Sequence, residues 1–338
     1  MKGMQNVTAP TRDTYWDVAK GLLMFLVILG HMIQMQLCPA RMGEDFWSDP
    51  LFMVIYLFHM PLFALFSGYF AAKSISKHSV RVIPRYLMRL ALPCVGVGIL
   101  YTCISFHKEE IQNDNMQLFH NFGSLWYLVV TLECLFCYLL LQWKKSLWYK
   151  LLIFILPILI AQYLGHLTTF RQFWPFPGRF CYLWPVFVLG ATMAKHGFRH
   201  ERINWKWGAF LPLFVLLYIG FQPTWYIYRL PLINNIEAAG IAIYRLIAAI
   251  AGCGLFIFTT KLLHKRIQLT ILQNLGKATL PLYVLQSIVF NSTLLDCLPI
   301  TNYTAAITVS LILMLGMYYF YLLSRRIPGI SLLFYGEK

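Results

Sequence analysis

Long runs of apolar residues, separated by short polar connections, dominate the pattern of this chain. A helix needs about 20 apolar residues to cross the hydrocarbon core of a bilayer. Ten segments reach or approach that length: 15–37, 50–71, 87–105, 124–142, 150–164, 178–194, 208–222, 239–260, 278–294 and 304–323. The connections contain no soluble domain, repeat or low-complexity linker. The pattern therefore predicts an all-α polytopic membrane protein with about ten transmembrane helices, in which residues 1–338 form a single domain.

The composition supports a membrane location. Of the 338 residues, 59% are hydrophobic and 12% are charged, and the mean hydropathy is +0.62. A soluble domain of this size has too little interior to bury so much apolar surface. The first apolar run follows a polar start and precedes no small-residue cleavage site, so we expect it to stay as the first span. The expected location is the cell membrane.

The positive charge predicts the orientation of the spans. A net charge of +15 in a soluble protein would suggest a nucleic-acid partner, but in a membrane protein it indicates the cytoplasmic bias of lysine and arginine. We therefore predict no nucleic-acid partner. Of the 28 lysines and arginines, 21 lie at the termini or in alternate connections, which places both termini in the cytoplasm: Lys2, Arg12, Lys73, Lys77, Arg81, Arg85, Arg89, Lys144, Lys145, Lys150, Lys195, Arg199, Arg202, Lys206, Lys261, Lys265, Arg266, Lys277, Arg325, Arg326 and Lys338.

The first span, DVAKGLLMFLVILGHM, carries three ionisable side chains. Asp17, Lys20 and His31 fall on one stripe of a helix, because 11 residues at about 100° each return to within roughly 20° of the same face. Ionisable groups inside a span normally face a polar interior, and histidine is suited to proton transfer near neutral pH. We predict a catalytic group of these three residues. The alternative is that Asp17 and Lys20 only anchor the span at the membrane interface.

Two further polar residues lie inside predicted spans. His59 lies in the stretch LFHMPLFALFSGYF of the second predicted span, which enters the membrane from the outer side. We expect His59 to lie at the same level as His31. We include it among the catalytic candidates. Glu133 lies near the middle of the fourth span, where a carboxylate is neutral or paired with a cation. Structural pairing and a role in handling protons both remain open for Glu133.

Several arginines lie at or within predicted membrane boundaries. Arg179 begins the sixth span on the outer side, and Arg245 lies about four residues into the eighth span from that side. We predict that they hold the acceptor together with Glu133, or that they form structural pairs. On the opposite side, Arg81, Arg85 and Arg89 recur every four residues at the start of the third span. We expect this group to bind a phosphate-bearing ligand. The preceding lysines are explained by topology and anionic lipid.

The eight cysteines do not indicate a metal site. Cys134 and Cys137 form one CxxC pair, but no second pair and no histidine cluster accompanies it. Buried cysteine commonly acts as a small apolar residue. We therefore predict no metal.

Several stretches resemble the acyltransferase family 3 membrane proteins, especially the fucose 4-O-acetylase-like branch. They are YWDVAKGLLMFLVILGH, FHMPLFALFSGYF, RVIPRYLMRLALP, SLWYL, WPVFVLG and LGKATLPLYVLQ. The resemblance implies a ten-helix enzyme that moves an acyl group, usually acetyl, from cytoplasmic acyl-CoA to a carbohydrate hydroxyl. The family's basic residue and histidine, separated by ten residues, fall on Lys20 and His31, and its basic motif falls on Arg81, Arg85 and Arg89. One departure is Gln286, where the family often has histidine.

The residue chemistry fits this implication. Acyl transfer to a hydroxyl requires a base or a nucleophilic acyl carrier, and His31 suits either role. Acyl-CoA is then a co-substrate, and no resident cofactor is expected. A proton-coupled exporter of a saccharide is the alternative, because buried histidine, glutamate and arginine suit transport equally well. The absence of an inverted repeat in the sequence makes the exporter less favoured.

Overall fold

The computed structural model describes residues 13–40, 45–78, 83–107, 125–166, 176–223, 225, 236–266, 270–295, 298 and 300–337. Within these ranges the chain is helical and contains no strand. We number its α-helices of eight or more residues in chain order. They are α1 Thr14–Met32, α2 Pro50–His78, α3 Ile83–His107, α4 Trp126–Trp143, α5 Leu147–His166, α6 Pro177–Lys195, α7 Phe210–Ile219, α8 Ile236–Arg266, α9 Thr270–Lys277, α10 Thr279–Phe290, α11 Tyr303–Ser324 and α12 Pro328–Tyr335.

The predicted all-α membrane architecture is confirmed. Seven helical segments within the described residues are long and apolar enough to cross a bilayer: Thr14–Ala40, Pro50–Ser76, Ile83–Ile104, Trp126–Trp143, Leu147–Gly165, Ile236–Lys265 and Tyr303–Ser324. The other three predicted spans fall on α6, on Trp205–Ile219 and on α10, and the last two are shorter apolar helices. Ten spans with cytoplasmic termini therefore stay a prediction. Residues 1–12 and 338 lie outside the described ranges.

Contacts near the helix termini define two ends of the bundle. We call the end at which α1 begins the basic end. There Tyr15 stacks on His200, just beyond α6, at 4.4 Å between ring centroids, and Nζ of Lys261 near the end of α8 donates to the carbonyl of Glu201. At the opposite end, Tyr303 at the start of α11 donates to Asp49, just before α2, at 2.6 Å.

Close packing between helices depends on glycine. A Cβ atom at Gly68 of α2 would meet the carbonyl oxygen of Phe187, and one at Gly190 of α6 would meet the carbonyl oxygen of Leu65. The two backbones therefore approach each other more closely than side chains permit, as small residues allow in membrane bundles. This contact fixes α2, which carries His59, against α6, which carries Arg179.

The first span does not end as a regular α-helix. After Met32 the chain forms a π-helical turn over Ile33–Leu37 and then a short α-helical turn over Cys38–Ala40. π-Helical turns are rare overall, but those that do occur are often found at functional sites. This turn begins two residues after His31 and contains Gln34.

Candidate active site

A cavity of about 420 Å³ lies in the half of the bundle toward the opposite end. Its volume falls in the range of about 300–1,000 Å³ that is usual for small-molecule sites. Side chains from α1 and its π-helical turn, from the segment before α2, and from α2, α4, α6 and α10 surround it. Its lining consists of Val27, His31, Gln34, Trp47, Tyr56, His59, Met60, Trp126, Arg179 and Tyr283. The predicted convergence of the two histidines from opposite ends is confirmed.

His59 is oriented by the backbone of its own helix. Its Nδ1 atom lies 2.9 Å from the carbonyl oxygen of Ile55, one turn earlier on α2, and its side chain is buried. Because a carbonyl oxygen can only accept, Nδ1 must carry the proton of this hydrogen bond. In neutral imidazole the lone pair is then on Nε2. This is the tautomer that a general base with Nε2 directed at a substrate requires.

His31 lies in the last turn of α1, among aromatic rings and one amide. Its ring centroid is 5.4 Å from that of Phe290 on α10 and 6.5 Å from that of Tyr56 on α2. Gln34 is a hydrogen-bond partner of the His31 side chain. The Tyr56 hydroxyl donates to Oε1 of Gln34 at 3.3 Å. A polar chain therefore joins His31 to α2, the helix that carries His59.

Arg179 is held by aromatic rings at the first turn of α6. Its guanidinium carbon is 4.3 Å from the ring centroid of Trp126 and 4.9 Å from that of Phe176. Cation–π contacts of this kind stabilise a planar guanidinium in one orientation. The cavity therefore has a positive charge in its lining. Of the three predicted acceptor residues, Arg179 is the one that contacts this space.

Asp17 and Lys20 lie far from the cavity, near the basic end. Nζ of Lys20 is 2.9 Å from Oδ1 of Asp17, whose side chain is buried. Asp17 also packs where α9 crosses α1, because a Cβ atom at Gly276 would meet its carbonyl oxygen. The structure thus separates this ion pair from His31 along the same helix. A direct catalytic contact for Asp17 and Lys20 stays a prediction, and their pairing supports the anchoring alternative.

The predicted donor-binding arginines lie at the basic end. Arg85 and Arg89 are exposed near the start of α3, as expected for residues at the start of the third predicted span. The backbone of Arg89 contacts Gly336 just beyond α12, where a Cβ atom would lie 2.6 Å from the Arg89 carbonyl oxygen. Arg81 lies outside the described residues. The role of this group in binding acyl-CoA stays a prediction.

Arg245 and Glu133 are placed away from the cavity lining. Arg245 is 1% exposed on α8, with its guanidinium 5.2 Å from the ring centroid of Tyr182. Glu133 lies on α4, next in sequence to the buried Cys134. The arrangement gives neither residue a direct contact with a ligand in this cavity. Their predicted part in holding the acceptor is not supported by contact and stays a prediction.

Sequence reasoning missed five polar or aromatic lining residues, namely Gln34, Trp47, Tyr56, Trp126 and Tyr283. Two of them follow from helical spacing, since Gln34 is three residues after His31 and Tyr56 is three residues before His59. Trp126 and Tyr283 lie within SLWYL and LPLYVLQ, stretches that already carry the family resemblance. Gln286, the departure from the family pattern, is buried one turn beyond Tyr283 and does not line the cavity.

Comparison with known proteins decides the family. Residues 13–330 match the family Acyl_transf_3, described as an acyltransferase domain. The chain belongs to acyltransferase family 3. The resemblance seen in the sequence is thereby confirmed at the level of the family. The fucose 4-O-acetylase-like branch stays a prediction.

Curated relatives cover a smaller part of the chain. This chain is 32% identical over 133 residues to nodulation protein NolL of Sinorhizobium fredii (strain NBRC 101917 / NGR234). The aligned region covers 38% of this chain and 36% of the relative. The chain is 33% identical over 135 residues to nodulation protein NolL of Mesorhizobium japonicum (strain LMG 29417 / CECT 9101 / MAFF 303099), with the same coverage of both chains. The match thus spans about a third of each relative's length. No solved structure matches.

Proposed function

We propose that this enzyme transfers an acetyl group from acetyl-CoA to a hydroxyl of a carbohydrate, and that the reaction takes place in the cavity lined by His31 and His59. The observation that supports it most strongly is that two histidines, from separate helices, line one cavity. Histidine is the side chain best suited to exchange a proton with a hydroxyl near neutral pH. The family supplies the reaction class, and acetyl-CoA and the carbohydrate are our proposal.

The transfer can be written with the groups that line the cavity. The acceptor oxygen attacks the thioester carbonyl carbon while an imidazole of the His31–His59 pair removes the hydroxyl proton. The tetrahedral intermediate then loses the sulfur: the carbon–sulfur bond breaks, and the thiolate takes the proton from the imidazolium. The products are the acetyl ester and free CoA thiol. His59 Nε2 has the lone pair required, and the His31 position matches the family motif.

The negative charge that develops on the carbonyl oxygen needs hydrogen-bond donors fixed in advance. Two lining residues carry suitable groups: the guanidinium of Arg179 and the hydroxyl of Tyr283. Arg179 is held by its contact with Trp126, so its reorganisation during the reaction is small. These side chains are our candidates for stabilising the tetrahedral intermediate.

The donor and the acceptor enter from different ends in this account. Lys20, Arg85 and Arg89 lie toward the basic end, where cations suit the phosphates of acetyl-CoA. The histidines lie toward the opposite end. His31 is about 16 residues along its span, roughly 24 Å deep and beyond the middle of a hydrocarbon core about 30 Å thick. We therefore propose that the acetyl group crosses the membrane within the protein and meets its acceptor on the outer side.

A thiol-release assay tests the proposed reaction. The purified chain, in nanodiscs free of glycoside detergent, is mixed with acetyl-CoA and a panel of methyl pyranosides. We expect CoA thiol to appear in proportion to acetylated sugar, identified by mass spectrometry. A proton-coupled exporter would release no thiol and form no ester. Absence of both products with every sugar and every acyl-CoA tried would contradict the proposal.

A further inference from the structure

Two tryptophans, Trp47 and Trp126, line the same cavity as the histidines. Tryptophan is common in membrane proteins at the level of the lipid headgroups, where the ring is exposed. Trp143, Trp148 and Trp205, at the basic end, have this character and are 76%, 80% and 81% exposed. Trp47 and Trp126 differ, because both are only partly exposed and both border the cavity.

The immediate surroundings fix the Trp126 indole in place. Trp126 is the first residue of α4, and the guanidinium of Arg179 lies over its ring at 4.3 Å from the centroid. Its neighbour Tyr127 is anchored by the Ser67 hydroxyl on α2 at 2.9 Å. The guanidinium therefore covers part of the indole and holds it in place, and the ring lines the space where transfer is proposed.

The Trp47 indole forms a second aromatic wall. It belongs to the short 3-10 turn Phe46–Ser48, whose first turn is capped by Asp45 through the Trp47 amide at 3.1 Å. Its ring packs edge to face against Phe52 and Tyr56, with centroids 5.4 Å and 6.4 Å apart. The Trp47 ring is therefore held in place by its contacts with α2, and it borders the cavity beside His59.

This combination of surfaces fits one class of acceptor. A pyranose ring has faces of C–H bonds that pack on indole and an equator of hydroxyls that needs polar partners. Gln34, Tyr56, Tyr283 and Arg179 supply such partners in the same lining. An acyclic polyol or a serine side chain offers hydroxyls without the apolar face.

We infer that Trp126, with Trp47, forms the acceptor-binding platform and selects a pyranose ring over acyclic hydroxyl compounds. This inference rests on the proposed function, because it assigns the acceptor of the same cavity. It makes Trp126 a specificity-determining residue. Arg179 supports the indole and contacts hydroxyls at the ring's edge.

The test compares tryptophan variants in the thiol-release assay, with methyl pyranosides and with the acyclic polyols sorbitol and galactitol as acceptors. We expect Trp126→Ala to raise KM for the best pyranoside about tenfold or more, since burial of an aromatic face contributes on this scale. KM for acetyl-CoA should change little by comparison. Trp126→Phe should recover part of the loss, because a smaller aromatic face remains. Trp143→Ala is the matched control and should keep the KM of the unaltered protein.

The outcomes separate this inference from the proposed function. Failure of the unaltered protein to release thiol with any acceptor would contradict the proposed function. Activity with an unchanged pyranoside KM in Trp126→Ala, or equal kcat/KM for sorbitol and the pyranosides in the unaltered protein, would overturn the platform. If Trp126→Ala does not fold, as judged by thermal unfolding in nanodiscs, Trp126→Phe and Trp47→Phe are used to test the inference instead. At least one of them must raise the pyranoside KM by severalfold, and unchanged KM in both would overturn the inference.

Discussion

The hydroxyl of Tyr56 donates a hydrogen bond to Oε1 of Gln34, and the two atoms are 3.3 Å apart. This contact joins the π-helical turn after α1 to α2, so it links the two elements that carry His31 and His59. The Tyr56 ring also lies 4.5 Å from the His59 ring, between centroids. Tyr56 therefore contacts the His59 ring directly and His31 through Gln34.

Removing this hydroxyl should affect the chemical step. In Tyr56→Phe the ring remains, but Gln34 loses a partner and His31 loses part of its support. We expect kcat to fall about tenfold, the scale of one hydrogen bond lost at a positioned group. Steady-state kinetics on the purified variant measures this, with Tyr163→Phe on the exposed face of α5 as the control. An unchanged kcat would show that the contact does not position the catalytic pair.

The glycine contact between α2 and α6 gives a prediction about stability. A Cβ atom at Gly190 would meet the backbone of Leu65, and backbone cannot yield as a flexible side chain can. We expect Gly190→Ala to destabilise the fold by about 1–3 kcal/mol, the usual scale of overpacking. Gly316→Ala is the matched control, because that helical position has open space around its Cβ site. Thermal unfolding in detergent compares the two. Equal melting temperatures would contradict the packing argument.

The arginines at the start of α3 should control binding of the donor. Arg85→Ala and Arg89→Ala should each raise KM for acetyl-CoA about tenfold to a hundredfold, because a charge-assisted hydrogen bond to phosphate contributes about 1.5–3 kcal/mol. Arg→Lys at either position should restore only part of the affinity, since lysine lacks the guanidinium fork. Lys145→Ala, another exposed cation outside this cluster, serves as the control. An unchanged donor KM in the double Ala variant would leave these arginines a role in topology alone.

The sides on which the substrates act can be measured in sealed proteoliposomes of known orientation. Acetyl-CoA is supplied on the side of the basic end and a membrane-impermeant sugar on the other. We expect acetylated sugar to form in this arrangement, because the cavity lies toward the end opposite Arg85 and Arg89. Product that forms only when both substrates share the side of the basic end would contradict the crossing of the acetyl group. It would leave the acyltransferase assignment intact.

Much of this architecture was predictable from the chain. Apolar length predicted the seven long apolar helices that the described residues contain, because a bilayer demands about 20 apolar residues. His31 and His59 were predictable since ionisable groups inside spans are costly and must have polar surroundings. Which of the predicted residues line the cavity could be read only from the three-dimensional structure. Spacing along α1 put Asp17, Lys20 and His31 on one stripe, yet it carried no information on which end of that stripe borders a cavity.

The aromatic residues of the cavity lining could not be predicted from the sequence, for a different physical reason. Aromatics make up 17% of this sequence, so composition alone does not separate a ring at a cavity from a ring in lipid. Trp126 and Trp143 stand at the two ends of one helix, and only tertiary packing turns the first toward the histidines. Arg245 shows the converse. Its charge inside a predicted span suggested a part in holding the acceptor, but its guanidinium packs on Tyr182 rather than in the cavity.

The central claim is that acyl transfer takes place in the cavity between His31 and His59, and acceptor-dependent release of CoA thiol by histidine variants tests it most directly. The purified unaltered protein is compared with His31→Ala, His59→Ala and the control His196→Ala, whose histidine is exposed in the turn after α6. We expect the cavity variants to lose about 10²–10⁴-fold in rate, the usual contribution of a positioned acid or base. The control should keep the normal rate, and all variants should unfold at similar temperatures. Near-normal thiol release in both cavity variants would contradict the account.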